Sequence, residues 1–236
     1  MTSRIFISQR FCGPPDSGNG GFSSGLVAAT LSTTAECTLR KPIPIERELL
    51  VQLQDSGAVL LDGDHLIIEC RPAQVDVALR PPVTFEQAER AAANCPGLRD
   101  HPFPTCFVCG PQRACGDGLR IFPGRVENSR VESELWAAPW TPDVSLAGPN
   151  GALKPEFVWA AMDCPTGFAG GFPWAGKLVT GRLAVHQTQP VIAAEPHVIV
   201  SWPLGWEGRK SHAAAALYNS SGELCAQAKA TWIKLG

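Results

Sequence analysis

The pattern of apolar and polar positions predicts two helices embedded among strands. In residues 19–31 small side chains dominate, the start is rich in glycine, and the apolar residues recur at helical spacing. Residues 154–164 open with Pro155, which suits the first turn of a helix, and are then almost wholly apolar. A helix that is apolar all round is a buried helix. We therefore expect both segments to lie close against a sheet.

Alternation of apolar and polar residues indicates strands in much of the remaining chain. The strand candidates fall into two sets, residues 34–54, 58–63 and 64–72 in the first and residues 181–192, 197–204, 211–219 and 224–233 in the second. A tight turn at Asp62-Gly63-Asp64 is expected to join two strands of the first set, because an Asp-Gly pair favours a hairpin.

The order of elements suggests that the chain consists of two similar halves. Each half is predicted as a strand, a helix and then several antiparallel strands. Arg4-Ile5-Phe6 superposes on Arg120-Ile121-Phe122, and Asn19-Gly20-Gly21 superposes on Lys154-Pro155-Glu156. The repeat rests on element order more than on identity, so coincidence is the alternative.

A connecting helix is predicted between the halves, over residues 84–97. Thr84 suits the N-cap, and Gln87 three residues later completes a capping box. Pro96-Gly97 would end the helix. The expected division is residues 1–82 and 103–236 for the two halves, with a linker helix and loop over 83–102.

Two segments of the sequence, one rich in cysteine and one a predicted helix, carry a resemblance to a known family. Cys106-Phe107-Val108-Cys109-Gly110 leads to Gly118-Leu119. This stretch resembles a cysteine-rich segment that often begins a hotdog unit in the hotdog-fold acyl-CoA thioesterases. Family helices commonly start with His-Gly-Gly and carry an acid nine residues after the histidine. Nine residues from Lys154 is Asp163, and nine from Asn19 is Ala28. The resemblance implies an α+β fold of two tandem hotdog units, each a long central helix wrapped by antiparallel sheet, forming an intrachain pseudo-dimer.

The same resemblance implies a composite site between the halves. In the family, backbone amides at one helix start polarise a thioester carbonyl, and the acid comes from the other helix. Here the first half has Gly20 and Gly21 but no acid at Ala28, whereas the second half has Asp163. Pro155 has no amide hydrogen to donate. One site assembled from both halves is therefore expected.

The expected chemistry is acyl transfer, with Asp163 as general base or as nucleophile. The amides of Gly20 and Gly21 would stabilise the developing oxyanion. Burial would raise the pKa of Asp163. The alternative is that Asp163 only caps a turn before Pro165. Further candidates are Asn19 as the helix N-cap and Thr166 as a polar helper.

Substrate contacts are predicted from aromatic and basic residues of the second half. Trp159 and Phe168 are expected to line an apolar acyl or aryl pocket. Arg209 and Lys210 are the expected contacts for the phosphates of coenzyme A, although they equally fit a solvated turn. Segment 19–21 also fits a mobile entry loop.

The nine cysteines are expected to be reduced thiols, mostly buried, because their number is odd and no export signal opens the sequence. Cys106 and Cys109 form C-x2-C, half of a structural zinc motif. The nearby Cys95, Cys115 and His101 do not complete a usual spacing. We therefore expect no metal.

The net charge and the length of the apolar stretches limit the kinds of partner that we expect. The net charge is -2 and the basic residues are scattered, so nucleic acid and anionic membranes are not expected partners. No apolar stretch is long enough to span a bilayer. A cytoplasmic location is expected.

Together these features predict an enzyme that hydrolyses an acyl- or aryl-CoA thioester. Coenzyme A would be part of the substrate and no other cofactor is expected. The alternative is a non-catalytic acyl-CoA or fatty-acid binding protein of hotdog fold. A hotdog hydratase is disfavoured, since neither central helix contains a histidine. A homodimer is compatible with the sequence but not indicated by it.

Overall fold

The computed structural model describes residues 2–127 and 134–236. Within them, eleven strands form one antiparallel sheet. The elements, in chain order, are β1 (Thr2–Phe6), α1 (Gly20–Ala28), β2 (Ala35–Leu39), β3 (Glu48–Gln54), β4 (Gly57–Asp62), β5 (His65–Pro72), α2 (Phe85–Ala93), β6 (Gly124–Arg125), β7 (Trp136–Trp140), α3 (Pro155–Ala169), β8 (Leu178–Gln187), β9 (His197–Glu207), β10 (Lys210–Tyr218) and β11 (Leu224–Lys234). No helix in these residues is long and apolar enough to cross a membrane.

The strand order repeats. From one edge the sheet runs β1-β3-β4-β5-β2, and from the other it runs β6-β7-β9-β10-β11-β8. With the short β6 set aside, β7 takes the place of β1, and the other four strands follow in the same order. The two series meet where β2 pairs with β8, with Cys37 opposite Leu183.

Equivalent hydrogen bonds flank the two central helices. The Gly18 N–H donates to the Ile43 carbonyl at 2.9 Å, and the Leu153 N–H donates to the Val191 carbonyl at 2.8 Å. Each donor immediately precedes a helix N-cap, Asn19 in α1 and Lys154 in α3. This is the superposition of helix starts that the sequence predicts.

The superposition of Arg4-Ile5-Phe6 on Arg120-Ile121-Phe122 is wrong. The first of these segments lies in β1, but the second lies outside the strands, and the counterpart of β1 is β7. The amides of Leu119 and Ile121 donate to the carbonyls of Phe107 and Val108. The segment therefore pairs with the cysteine-rich loop instead of the sheet.

Helix α3 is longer than predicted. The sequence places its end at Cys164, before Pro165, whereas the helix continues to Ala169 with Pro165 inside it. A proline removes one backbone hydrogen bond and crowds the preceding turn. Every α3 residue from Phe157 to Ala169 is buried, so tertiary packing outweighs that local cost.

The predicted strand over residues 34–54 is two strands, β2 and β3. Pro42 and Pro44 lie in the interval between them, and proline cannot donate to a central ladder. The predicted turn at Gly63 is confirmed, with a φ of 57° that favours glycine. Strand β8 begins at Leu178, earlier than predicted.

The predicted capping box of α2 is confirmed. The Gln87 amide donates to Thr84 Oγ1, and the Thr84 amide donates to the Gln87 side chain. The buried Ala88 and Ala91 of this helix pack in a separate apolar cluster with residues of β7, β9 and β10. The main core draws on both halves of the chain, from Ile7 and Phe22 to Trp232.

Cys37 and Cys70 form a disulfide, so the expectation that all nine cysteines are reduced is wrong for this pair. The two residues lie directly opposite each other on the antiparallel strands β2 and β5. Opposite positions bring side chains close together, and the alternating pattern alone does not reveal which residues are opposite.

Candidate active site

Asp163 is buried in the middle of α3, with 1% of its surface exposed. Its Oδ2 atom accepts hydrogen bonds from the Gly21 N–H at 3.0 Å and from Asn19 Nδ2 at 3.2 Å. Its Oδ1 atom accepts one from Thr180 Oγ1 at 2.8 Å. The carboxylate therefore faces the start of α1. A residue that only capped a turn before Pro165 would lie at a helix end, which Asp163 does not.

The start of α1 is organised by Asn19. Its Oδ1 accepts from the Phe22 N–H at 2.9 Å, the usual N-cap bond, while its Nδ2 reaches Asp163. One side chain thus both caps α1 and holds the acid of α3.

Gly21 allows the two helices to touch. A Cβ atom at this position would lie 2.6 Å from both Asp163 Cβ and the Trp159 carbonyl oxygen, and 2.9 Å from Ala160 Cα. Side chains do not tolerate such distances. The absence of a side chain at Gly21 is what brings its amide to the carboxylate.

The Gly20 N–H differs from its two neighbours. Gly21 donates to Asp163 and Phe22 donates to Asn19, but the Gly20 amide has no hydrogen-bond acceptor among the residues that the structure describes. Because the first amides of a helix have no partner within it, Gly20 retains a donor at the positive end of the α1 dipole.

Burial raises the pKa of Asp163 to about 7, against the opposing effects of the hydrogen bonds from Thr180, Gly21 and Asn19. Desolvation penalises the charged carboxylate, whereas the three donors stabilise it. Both charge states are therefore populated near neutral pH, which suits a group that accepts and then returns a proton.

A pocket of about 490 Å³ opens beside Asp163. Gly20 and Thr180 also line it, together with the loop over residues 13–18. Most of the remaining wall is apolar and aromatic, including Phe103, Phe168, Phe172, Leu178 and Trp232. Phe168, predicted to contact the substrate, is thus one of the residues that line this pocket.

Trp159 and Thr166 do not line this pocket. Trp159 packs against α1, where a Cβ atom on Gly25 would lie 2.9 Å from Trp159 Cβ. The Thr166 hydroxyl donates to the backbone carbonyl of Asp163 at 2.6 Å and accepts from Trp232 Nε1 at 2.9 Å. It thus contacts the backbone of Asp163 and not its carboxylate.

Basic residues of the first half lie at the pocket, and those predicted in the second half do not. Arg40 and Lys41 line it, whereas Arg209 and Lys210, at the turn between β9 and β10, are not part of its lining. Arg40 pairs with Glu69 at 2.8 Å. Lys41 Nζ lies 3.1 Å from His65 Nδ1 and pairs with no carboxylate among the described residues.

Thr180 is a site residue that the sequence did not reveal. It lies near the start of β8, just before the stretch that alternates clearly enough to be predicted as a strand. No motif distinguishes it from other threonines. Only the packing of β8 against α3 places its hydroxyl at Asp163.

A second polar cluster lines the same pocket. The sulfur atoms of Cys106, Cys109 and Cys164 all lie within 4.8 Å of one another, and all three residues are buried. His101 Nε2 lies 3.2 Å from Cys109 Sγ. The set of ligands considered from spacing does not come together, because Cys115 is exposed and Cys95 is not among the cysteines whose sulfur atoms lie within 4.8 Å of one another.

No family model matches the sequence, and no curated protein matches it. Solved structures do resemble the chain. The TesB protein of Mycobacterium avium subspecies paratuberculosis superposes over 100% of this chain and 93% of its own, with a TM-score of 0.66 at 11% identity. A putative thioesterase from Novosphingobium aromaticivorans gives 0.66 at 14% identity, over 100% of this chain and 96% of its own.

A third structure is an acyl-CoA thioesterase II from Mycobacterium marinum. It covers 99% of this chain and 93% of its own, with a TM-score of 0.62 at 11% identity. At such low identity a structural likeness establishes fold and not activity. These likenesses span the two series of strands and both central helices, and they show that the chain has the hotdog fold of these thioesterases.

Proposed function

We propose that the protein hydrolyses an acyl- or aryl-CoA thioester in the pocket beside Asp163. The observation that carries the proposal is the Asp163 carboxylate, buried on α3 and bonded to Asn19 and Gly21 at the start of α1. The solved structures that share the fold, among them an acyl-CoA thioesterase II, add support. The repeated strand order supports a pseudo-dimer of two hotdog halves, over residues 1–82 and 103–236, with this site between them.

Asp163 is assigned as the general base. Its Oδ2 already accepts two N–H donors, whereas Oδ1 accepts only the Thr180 hydroxyl among the residues that the structure describes and can accept a water as well. The water oxygen attacks the thioester carbonyl carbon as its proton passes to Asp163. The carbon–sulfur bond then breaks, and the proton passes to the departing thiolate. Products are the carboxylic acid and coenzyme A.

Gly20 is assigned as the donor to the carbonyl oxygen. Gly21 was the other expected donor, but its amide is engaged by Asp163. Gly20 lines the pocket, and its N–H has no hydrogen-bond acceptor among the described residues. Negative charge that develops near a helix start is stabilised by the helix dipole. The first half therefore contributes the N–H that donates to the carbonyl oxygen, and the second half contributes the general base.

The residues that line the pocket offer a substrate two kinds of contact. The aromatic wall around Phe168 and Phe172 suits an apolar acyl or aryl group. Arg40 and Lys41 offer positive charge to the phosphates of coenzyme A. We therefore assign the phosphate contact to these residues, in place of Arg209 and Lys210.

The test is Asp163→Asn, with thiol release measured on a panel of acyl- and aryl-CoA thioesters. The amide oxygen can accept from Gly21 and Asn19, and the amide NH2 can donate to Thr180, so the fold should be kept. Turnover should fall at least about 100-fold, the usual contribution of a general base. Asp64→Asn, in an exposed turn, is the control and should leave turnover unchanged.

Two outcomes would contradict the proposal. Undiminished turnover of every active thioester by the Asp163 variant would exclude its role as base. Calorimetric binding of acyl-CoA by the unmodified protein without any thiol release would instead establish the non-catalytic binding protein.

A further inference from the structure

Three cysteines from two distant parts of the chain converge beside the pocket. Cys106 and Cys109 belong to the loop that precedes β6, and Cys164 belongs to α3, directly after Asp163. Their sulfur atoms lie within 4.8 Å of one another, and each residue is at most 6% exposed. A buried group of three thiols is a potential soft-metal site.

The sulfur spacing matches a metal site. Cys106 Sγ and Cys164 Sγ are 3.8 Å apart. Two thiolates on a tetrahedral Zn²⁺ ion, each about 2.3 Å from the metal, lie about 3.8 Å apart. A disulfide would need about 2.05 Å, so this pair is not bonded.

The loop that carries two of the cysteines is tightly wound. The Gly110 N–H donates to the Cys106 carbonyl at 2.9 Å. A Cβ atom on Gly110 would lie 2.5 Å from that carbonyl oxygen and 2.6 Å from the Cys106 nitrogen. Because Gly110 has no side chain, the backbone can fold back after C-x2-C. This turn brings the sulfur atoms of Cys106 and Cys109 close together.

N–H donors surround the sulfurs, and among the described residues no lysine or arginine hydrogen-bonds to them. Asn19 Nδ2 lies 3.9 Å from Cys106 Sγ, and His101 Nε2 lies 3.2 Å from Cys109 Sγ. Such donors suit thiolates, but buried negative charge needs a cation to offset the loss of hydration. A divalent ion would supply that charge.

His101 is a neighbour of the sulfur cluster and not its fourth ligand. Its Nδ1 accepts from the Phe103 N–H at 3.0 Å, so in the neutral ring Nε2 carries the proton and donates it to Cys109 Sγ. Ligation through Nε2 would place a proton on Nδ1, facing the Phe103 N–H. Three protein ligands therefore remain, and a tetrahedral ion would keep one position open.

We propose that Cys106, Cys109 and Cys164 bind one Zn²⁺ ion whose fourth coordination position opens into the pocket of Asp163. All three cysteines line that pocket, so water or a thiol can reach the open position. The inference goes beyond the proposed function, because metal binding does not depend on thioester hydrolysis. It also replaces the expectation of no metal, since the third ligand is distant in sequence from C-x2-C.

The first experiment measures metal content. The protein is incubated with excess Zn²⁺, desalted and analysed by elemental mass spectrometry. We expect about one zinc per chain in the unmodified protein and in Cys225→Ala, a control at a buried cysteine outside the cluster. Cys109→Ala and Cys164→Ala should retain none. An unmodified protein without zinc, or cluster variants with as much zinc as the control, would overturn the proposal.

The second experiment needs no variant and is therefore independent of misfolding. Co²⁺ added to the unmodified protein should give an intense near-ultraviolet thiolate-to-cobalt band and the visible bands of a tetrahedral ion. A small thiol such as 2-mercaptoethanol should intensify the near-ultraviolet band by adding a fourth sulfur. Absence of the band would refute the metal site, and a band insensitive to the thiol would refute the open position.

Zinc content and thioester turnover are measured separately on the same variant. Asp163→Asn should retain about one zinc per chain while losing turnover. Loss of turnover with zinc retained supports both proposals, whereas turnover without zinc binding refutes only the metal site.

Discussion

At the scale of single residues, Asp163 is held by donors from different elements. Asn19 and Gly21 come from the start of α1, and Thr180 comes from β8. Each donor favours the anion that burial disfavours. The geometry of the acid, and not only its presence, is therefore set by the two halves together.

Thr180 is expected to position Asp163 without touching the reacting atoms. Thr180→Val removes the only described donor to Oδ1 while keeping the side-chain volume. A hydrogen bond to a charged group contributes about 1.5–3 kcal/mol, so kcat should fall roughly 10- to 100-fold with KM little changed. Thr180→Ser keeps a hydroxyl and should recover most of the activity. Equal loss in both variants would show that packing, not the hydrogen bond, is what matters.

Lys41 is expected to bind the phosphates of coenzyme A. Lys41→Ala should raise KM for a CoA thioester by up to about fivefold, since an exposed ion pair is worth at most about 1 kcal/mol. KM for the corresponding pantetheine thioester, which lacks the nucleotide phosphates, should not change. Arg209→Ala is the control, and a larger effect there than at Lys41 would restore the assignment made from the sequence.

The sequence reveals Asp163 and Asn19 better than it reveals their partners. Asp163 is an acid within an apolar helix, and Asn19 precedes glycines at a helix start, so local pattern identifies both. Thr180 reaches the pocket because β8 packs beside α3. Lys41 reaches it through the loop that follows β2, and Cys164 reaches it through the packing of α3. Their positions depend on long-range contacts that spacing along the chain does not encode.

At the scale of elements, the contact between α1 and α3 depends on glycine. Gly21 lies against Trp159 and Ala160, and Gly25 lies against Glu156 and Trp159. The four-residue interval from Gly21 to Gly25 places both glycines on one face of α1. The two helices pack antiparallel. Asp163 therefore lies at the start of α1, and Glu156, at the start of α3, lies against Gly25 further along α1.

Gly21→Ala is expected to destabilise the fold. The new Cβ would lie 2.6 Å from a backbone oxygen, and overpacking a close contact typically costs about 1–3 kcal/mol. Gly148→Ala, whose Cβ would meet nothing closer than 3.5 Å, is the matched control and should change the unfolding free energy by less than about 0.5 kcal/mol. Chemical denaturation measures both. Equal stability of the two variants would mean that the helices separate at little cost.

Element boundaries follow local chemistry where that chemistry is strong. The capping box of α2 and the glycine turn at Gly63 are as predicted. The prediction fails at Pro165, because a local signal for ending a helix is outweighed by burial on all sides. It fails again at Arg120-Ile121-Phe122, which resembles β1 in sequence but pairs with a loop.

At the scale of the whole molecule, one sheet and one main core include both halves. Strands β2 and β8 pair at the centre, and the core contains residues such as Ile7 and Trp232 from opposite ends of the chain. Nothing in this arrangement separates the halves into independent folding units.

Unfolding is therefore expected to be a single cooperative transition. All seven tryptophans lie at or beyond Trp136, so their fluorescence reports on the second half, whereas far-ultraviolet circular dichroism reports on the entire sheet. The two denaturation curves should coincide, as two-state behaviour requires. A fluorescence midpoint separated from the dichroism midpoint would show that the halves unfold independently.

The contact between a carboxylate of α3 and amides of α1 also affects which mutations such a protein can accept at equivalent positions of the two helices. In a symmetric assembly of identical subunits, every mutation appears at both equivalent positions. In a continuous chain, Ala28 and Asp163 occupy the same place relative to their N-caps yet are encoded separately. One position can therefore keep its acid while the other changes, which two identical subunits do not allow.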